Sequence, residues 1–170
     1  MEEIRKIDLA FLNRYYDSGR SNILVIYGHR NVEQNSLLFK FIENRRSVFY
    51  TARSVSSREQ IKLWQNELME KDHDFGDDPS FTDIFDLAIG GNGRGPVIFV
   101  IKNFEYIIRS SESFMKELVN FVEKNGKFRQ ILVLLVSNDV SWVENSMVQT
   151  LGPLAINLAG FRKIKPLPYS

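Results

Sequence analysis

With 170 residues, 44% of them hydrophobic, the chain is long enough to bury one sizeable core, and the expectation is a single domain over residues 1–170. Its 22 basic and 21 acidic residues leave a net charge of +1, so there is no global pull toward nucleic acid or an anionic membrane. No cysteine and only two histidines exclude disulfides, thiolate metal sites and cysteine nucleophiles, and disfavour a histidine-rich metal site.

In chain order, the N-terminal segment MEEIRKIDLAFLNRYYDSG is amphipathic and charged. It holds no apolar run long enough for a signal peptide or a membrane span, and the expected location is the cytoplasm. Four runs dense in β-branched and aliphatic residues follow, at residues 22–27, 47–51, 96–101 and 130–136. They are continuously apolar and do not alternate, which predicts strands buried on both faces, as in a parallel sheet covered by helices. Between them lie stretches with helical period. Residues 34–44 put Leu37, Leu38, Phe41 and Ile42 on one stripe, 57–70 do so with Ile61, Trp64 and Leu68, and 113–124 with Phe114, Leu118, Phe121 and Val122. Residues 71–80 and 90–95 are rich in turn formers and read as irregular. A fifth strand is expected over 161–164, before Pro166 and Pro168 end regular structure. Strands alternating with helices predict βαβ units, hence an α/β three-layer sandwich with a mainly parallel sheet of about five strands and helices on both faces.

The loop after the first strand has the context of a phosphate-binding P-loop. There a buried strand feeds GxxxxGK[ST] into a helix, backbone N–H groups hold phosphate oxygens, and the Lys and hydroxyl serve phosphate and Mg²⁺. Here Gly28 holds the first position, but Glu33 stands at the second Gly, Gln34 at the Lys and Asn35 at the Ser or Thr. One like-charge contact between Glu33 and a phosphate at about 4 Å would cost up to about 4 kcal/mol at an effective dielectric near 20.

From Phe11 to Asn13-Arg14, through Tyr27-Gly28 to Asn35, Leu37 and Lys40-Phe41, then Glu59-Gln60 and Trp64, the sequence resembles the archaeal-type ATPases, AAA-like and STAND-related P-loop NTPases. The resemblance implies a Walker B strand ending IDEFPYL, where Asp orders Mg²⁺ and Glu polarises water. This chain reads Ile101-Lys102-Asn103-Phe104-Glu105-Tyr106-Ile107, with Lys102 for the Asp and Asn103 for the Glu. It also implies a sensor segment at Ser137-Asn138-Asp139 and an Arg where Asn157 stands. The family's lid and C-terminal regions, expected after the element ending Pro166-Leu167-Pro168-Tyr169, are not expected here.

A cation at the metal-ordering position repels Mg²⁺, and an amide is no general base. The expectation is therefore a non-enzymatic, AAA-like pseudo-ATPase acting as a protein-interaction scaffold. Gly28, Glu33, Gln34 and Asn35 would be a vestigial P-loop, Lys102 and Asn103 a vestigial Walker B, and Asn138 a vestigial sensor. No cofactor is expected, although the family uses ATP and Mg²⁺. A protein partner or self-association is expected, nucleic acid is disfavoured, and no membrane is involved. The alternative is an ATP-binding switch or slow ATPase with a non-standard site. Glu33 and Lys102 either pair across the vacated pocket or stand as independently solvated charges.

Other features invite blander expectations. Asp72, Asp74, Gly76 and Asp78 sketch an acidic loop without an EF-hand's Gly at position six, so a solvated loop is expected. His29 and His73 are expected at the surface, and Trp64, Phe114 and Phe121 in the core. Arg45, Arg46, Arg53 and Arg58 are expected on a solvated face and not in a binding patch.

Overall fold

The structure, a computed structural model, describes residues 3–30, 33–69, 73–90 and 93–166. In chain order the elements are α1 (Glu3–Asp17), β1 (Asn22–Tyr27), α2 (Gln34–Ile42), β2 (Ser47–Thr51), α3 (Ser57–Glu67), α4 (Phe81–Ile89) and β3 (Val97–Lys102). Then come α5 (Glu105–Ser110), α6 (Phe114–Asn125), β4 (Ile131–Ser137), α7 (Val140–Asn145), α8 (Met147–Leu151), a 3-10 helix (Gly152–Asn157) and β5 (Leu158–Lys163). The five strands form one all-parallel sheet in the order β2-β3-β4-β1-β5.

The continuous apolar runs follow from covering both faces of this sheet. Leu24, Ile26, Ile98, Val100, Leu132, Leu134 and Val136 face one layer, with Leu12 of α1 and Leu37, Leu38 and Phe41 of α2. Ile23, Val25, Val97, Phe99, Ile101, Ile131, Val133 and Leu135 face the other, which α3 to α8 supply. Each such side chain, fully buried, contributes roughly 1.5–3 kcal/mol, so no position on β3 or β4 up to residue 101 or 136 could be polar without cost. Trp64, Phe114 and Phe121 lie in the second layer as expected. There the Tyr50 ring stacks on Trp64 with centroids 4.4 Å apart, and Phe85 meets Phe99, Phe114 and Phe121.

The expected 96–101 and 130–136 strands each begin and end one residue later. Pro96 has no N–H to give a ladder, and pairing starts where the Val97 N–H reaches the Gln130 carbonyl. The helix expected over 34–44 stops at Ile42, and Asn44 has a left-handed backbone (φ 61°). The one expected over 57–70 stops at Glu67, and Glu70 lies outside the described residues. The fifth strand starts three residues before the expected 161, because its register is set by β1 and by contact with α1. At Gly160 the backbone comes so close to α1 that a Cβ would lie 2.8 Å from the Tyr15 hydroxyl. Arg162 Nε donates to Asp8 Oδ1 at 2.9 Å, and Arg5 Nη1 to Asp8 Oδ2 at 3.2 Å, tying the same edge to the first helix.

α4 went unanticipated between the two turn-rich stretches. It starts on a capping box in which the Ser80 hydroxyl accepts from Asp83 N and the Asp83 carboxylate from Ser80 N. β2 hands over to α3 through Gln60, which is fully buried. Its Oε1 accepts from the Tyr50 hydroxyl at 2.6 Å and from Arg53 N at 2.9 Å, while its Nε2 donates to the Arg53 carbonyl. Among the described residues no helix is long and apolar enough to cross a membrane.

Candidate functional site

In a parallel sheet the carboxyl ends of the strands share one edge, and loops leaving there in opposite directions open a crevice. Here β1 leads to α2 while β3 and β4 lead to α5 and α7, and the expected site residues gather at that edge. Two adjoining clefts lie there. One, of about 310 Å³, is lined by Arg30, Glu33, Gln34, Asn35, Lys102 and Asn138; the other, of about 330 Å³, by Arg30, Asn103, Glu105, Arg109, Asn138 and Asp139. Arg30 and Asn138 border both. Asn31 and Val32 of the loop lie outside the described residues.

Gln34, the first residue of α2, is 4% exposed and turns back under the loop. Its Nε2 donates to the Gly28 carbonyl at 3.3 Å and the Ser137 carbonyl at 3.4 Å. Both partners only accept, so the amide nitrogen must face them. The Gly28 N–H also donates to the Ser137 carbonyl at 3.2 Å, so one side chain closes the gap between the ends of β1 and β4. Glu33 caps α2 from an exposed position with no side-chain hydrogen bond to the helix. Its backbone (φ −84°) suits any L-residue, which is why a Glu fits where the resemblance implies Gly.

Lys102 ends β3 and donates from Nζ to Asn35 Oδ1 at 2.6 Å. The Glu33–Lys102 pair weighed from sequence is not formed: the ammonium reaches the nearer helix residue, and Glu33 points to solvent. Partial burial pulls the Lys102 pKa below its ordinary value, because the charged form loses hydration. Asn103 has φ 58°, a left-handed backbone that Asn tolerates better than most residues, and its carbonyl accepts from Tyr106 N as the chain turns into α5.

Glu105 was not singled out from sequence, although it replaces the Pro of IDEFPYL and brings a carboxylate into the frame. It is 4% exposed, and its Oε1 accepts from the Ser137 hydroxyl at 2.6 Å. Burial raises its pKa, and the Ser137 bond only partly offsets this. Ser137 Oγ in turn accepts from Asp139 N at 3.0 Å, and Asp139 takes the Arg109 guanidinium at 2.8 Å, which holds its carboxyl below the usual range. On the far side the Tyr27 hydroxyl donates to Glu144 at 3.0 Å, where Lys163 also sits at 3.3 Å. Of the side chains lining the clefts, Gln34, Lys102 with Asn35, Glu105, and Arg109 with Asp139 are thus held by bonds within the protein.

The remaining candidates stay apart from this edge. Asn157 ends the 3-10 helix and donates to the Leu154 carbonyl. His29 and His73 are exposed, and His73 leans on the Phe75 ring. Asp74 accepts from Gly76 N in a local turn, while Asp72 lies outside the described residues. Among the described residues no group of three or more acidic or histidine side chains could hold a metal ion. Of the four arginines, Arg45 lies over the Tyr16 ring and bonds Asn13, Arg46 bonds the Ile89 carbonyl, and Arg53 and Arg58 are exposed.

An all-parallel β2-β3-β4-β1-β5 sheet with a strand-loop-helix crevice beside its first strand is the AAA-like P-loop ATPase fold, and solved structures bear this out. The chain superposes on the ORC2 protein of Aeropyrum pernix with a TM-score of 0.66 at 14% identity, over 96% of this chain and 48% of that one. It superposes on domain III of the Thermotoga maritima replication initiator DnaA with 0.56 at 14%, over 98% and 64%, and on a Walker-type ATPase of Pyrococcus abyssi with 0.56 at 14%, over 92% and 53%. In sequence it is 38% identical over 42 residues to the ATP-binding protein MJ0423 of Methanocaldococcus jannaschii, covering 25% of this chain and 71% of that protein. It is also 22% identical to the uncharacterised protein MJECL04 of the same organism, over 97% of this chain but only 36% of that protein. No family model matches. The chain has the AAA-like P-loop ATPase fold and is a distant homologue of an archaeal ATP-binding protein.

Proposed function

We propose that this AAA-like domain does not hydrolyse ATP and serves as a protein-interaction scaffold. The Lys102 Nζ to Asn35 Oδ1 bond of 2.6 Å carries the proposal. In the family frame these two positions supply the carboxylate and hydroxyl that order Mg²⁺. Mg²⁺ wants oxygen ligands in near-ideal octahedral geometry, and an ammonium bonded to one of those two residues holds a positive charge where the metal would sit. The residues at this edge do not fit a Mg²⁺–triphosphate in other respects either. The Gln34 amide hydrogens are directed at two backbone carbonyls and offer no counter-charge to phosphate, and Glu33 sets a negative charge at the helix N-terminus, where phosphate would seat.

Calorimetric titration with ATP and Mg²⁺ tests the first half. The expected outcome is no saturable heat below millimolar nucleotide and no phosphate release above background. Micromolar binding that disappears in Lys102→Ala would overturn it. The converse variant, carrying Glu33→Gly, Gln34→Lys, Asn35→Thr, Lys102→Asp and Asn103→Glu, is expected to gain Mg²⁺-dependent nucleotide binding.

For the scaffold half, the support is that exposed apolar side chains stand on the sheet's margins. Phe39 of α2 is 56% exposed beside Phe49 of edge strand β2, and Phe161 of the other edge is 47% exposed. Sedimentation velocity across a concentration series and pull-down from the native cell should reveal self-association or a retained protein; failure of both would remove this half. A second reading, a nucleotide-binding switch with a non-standard site, is favoured by the buried Glu105 carboxylate and by Arg30 at both clefts, and the same titration decides between the two.

A further inference from the structure

The opposite end of the sheet carries positive charge that no carboxylate among the described residues pairs. Arg46, Arg94 and Arg129 stand just ahead of β2, β3 and β4, three neighbouring strands that start side by side. Arg129 is 8% exposed. Its Nε donates to the Gly95 carbonyl at 3.0 Å and its Nη1 to the Gly93 carbonyl at 2.6 Å, but its buried Nη2 has no hydrogen-bond partner. Arg46 Nη2 donates to the Ile89 carbonyl.

The two guanidiniums converge on Gly93. A Cβ there would run into Arg46 Nη1 and lie 3.3 Å from Arg129 Nη2, so a larger residue would push the Arg46 side chain aside. Every acceptor they find is a backbone carbonyl. Among the described residues no carboxylate forms an ion pair with Arg46, Arg94 or Arg129. Burial, with repulsion from Arg46, lowers the pKa of Arg129, as expected for a cation short of counter-charge. Carbonyl dipoles offset such charge only in part, and a buried N–H without an acceptor is costly.

Beside this cluster is a cavity of about 390 Å³, lined by Ile89, Gly93, Arg94, Asn125, Phe128 and Arg129. The Phe128 side chain is 77% exposed at its rim, and Ile89 is an apolar part of its wall. We propose that this cavity binds a small organic oxyanion, a carboxylate or phosphate bonded by the exposed Arg94 guanidinium and drawn by the charge of Arg129 at the wall, with its apolar body against Phe128 and Ile89. The geometry supplies what such a ligand needs: an accessible guanidinium that no described carboxylate pairs, further positive charge beside it, and an apolar surface. Nothing in this site depends on the state of the nucleotide-type clefts at the other end of the sheet.

Amide-resolved NMR titration of the 170-residue protein at constant ionic strength tests it, with phenyl phosphate, benzoate and inorganic phosphate as probes. Saturable shifts are expected at Gly93, Gly95, Asn125 and Phe128, with one of the aromatic probes binding about tenfold more tightly than inorganic phosphate. Preference for phenyl phosphate over benzoate assigns a phosphate ligand, and the reverse order a carboxylate. Arg129→Gln should weaken binding about tenfold or more. Because Arg129 also braces the loop, Arg94→Gln and Phe128→Ala, both at exposed positions, serve as controls that leave the fold intact, and each should weaken binding several-fold. The proposal is overturned if none of the three probes gives saturable shifts at millimolar concentration, or if Arg94→Gln and Phe128→Ala bind as the unaltered protein does.

Discussion

The two ends of the sheet handle charge in opposite ways. At the carboxyl ends of the strands Lys102 is matched to Asn35, Gln34 to two carbonyls, Glu105 to Ser137 and Arg109 to Asp139. At the amino ends two arginines lean on carbonyls alone, and one buried N–H has nothing to bond. Among the described residues, the named side chains at the carboxyl end find side-chain or carbonyl partners beside two open clefts, whereas no carboxylate pairs with the arginines at the amino end.

The carboxyl end of the sheet loses most if Ser137 is removed. Ser137→Val deletes the donor to Glu105 and the acceptor for Asp139 N in a fully buried place, and is expected to destabilise the protein by about 3 kcal/mol at neutral pH, measured by urea unfolding. A loss below about 1 kcal/mol would mean the edge is not self-satisfied in the way described. Next, Gln34→Leu leaves two carbonyls at the ends of β1 and β4 with one donor fewer; a loss of about 1–2 kcal/mol is expected by the same measurement.

Glu105 gives the carboxyl end a pH dependence. Burial holds its folded pKa above the ordinary 4.5, so its protonated form is the one the fold prefers. Its contribution is fully present below about pH 4.5 and is lost as pH rises through the folded value. Glu105→Gln, which keeps an acceptor for Ser137, should therefore match the unaltered protein at pH 4 and be more stable than it at pH 7. Equal stability at both pH values would sink this. The smallest effect is expected for Lys102→Met: the bond to Asn35 is partly exposed, and a loss of roughly 0.5–1 kcal/mol in thermal or urea unfolding is the most that solvent screening leaves.

Much of this molecule could be read along the chain. β1 and β2 fall on the residues the apolar runs marked, and β3 and β4 are displaced by one; β1, β3 and β4 are covered on both faces and so are continuously apolar, whereas edge strand β2 buries only Val48 and Tyr50, against the expectation of burial on both faces. The edge strand β5 was harder. Leu158-Ala159-Gly160 carries weak strand character, and what recruits it is the free edge of β1 and the approach of Tyr15. The short helix Phe81–Ile89 announces itself only by the capping box of Ser80 and Asp83, and its nine residues lie between two turn-rich stretches that mask the helical period. At the candidate site Glu33, Gln34, Asn35, Lys102 and Asn138 border one cleft, and of the two alternatives for Glu33 and Lys102 the ion pair is not formed. Glu33 and Lys102 are complementary in charge, but reach decides partnership, and Asn35 is the group within reach. Glu105 differed from the family pattern in plain sight, yet only its burial against Ser137 gives it a role.

By itself, then, the sequence determined the layered α/β architecture, because periodicity and burial are linked by the geometry of strands and helices, and it determined which residue types stand at the P-loop and Walker B positions. What the tertiary structure alone decided is who bonds with whom: Lys102 with Asn35, Gln34 with two carbonyls, and Arg46 and Arg129 drawn together over Gly93. Those partnerships join residues distant in the chain through bonds only a few ångströms long, and their distances are fixed by the packing of the whole sheet and not by any local pattern.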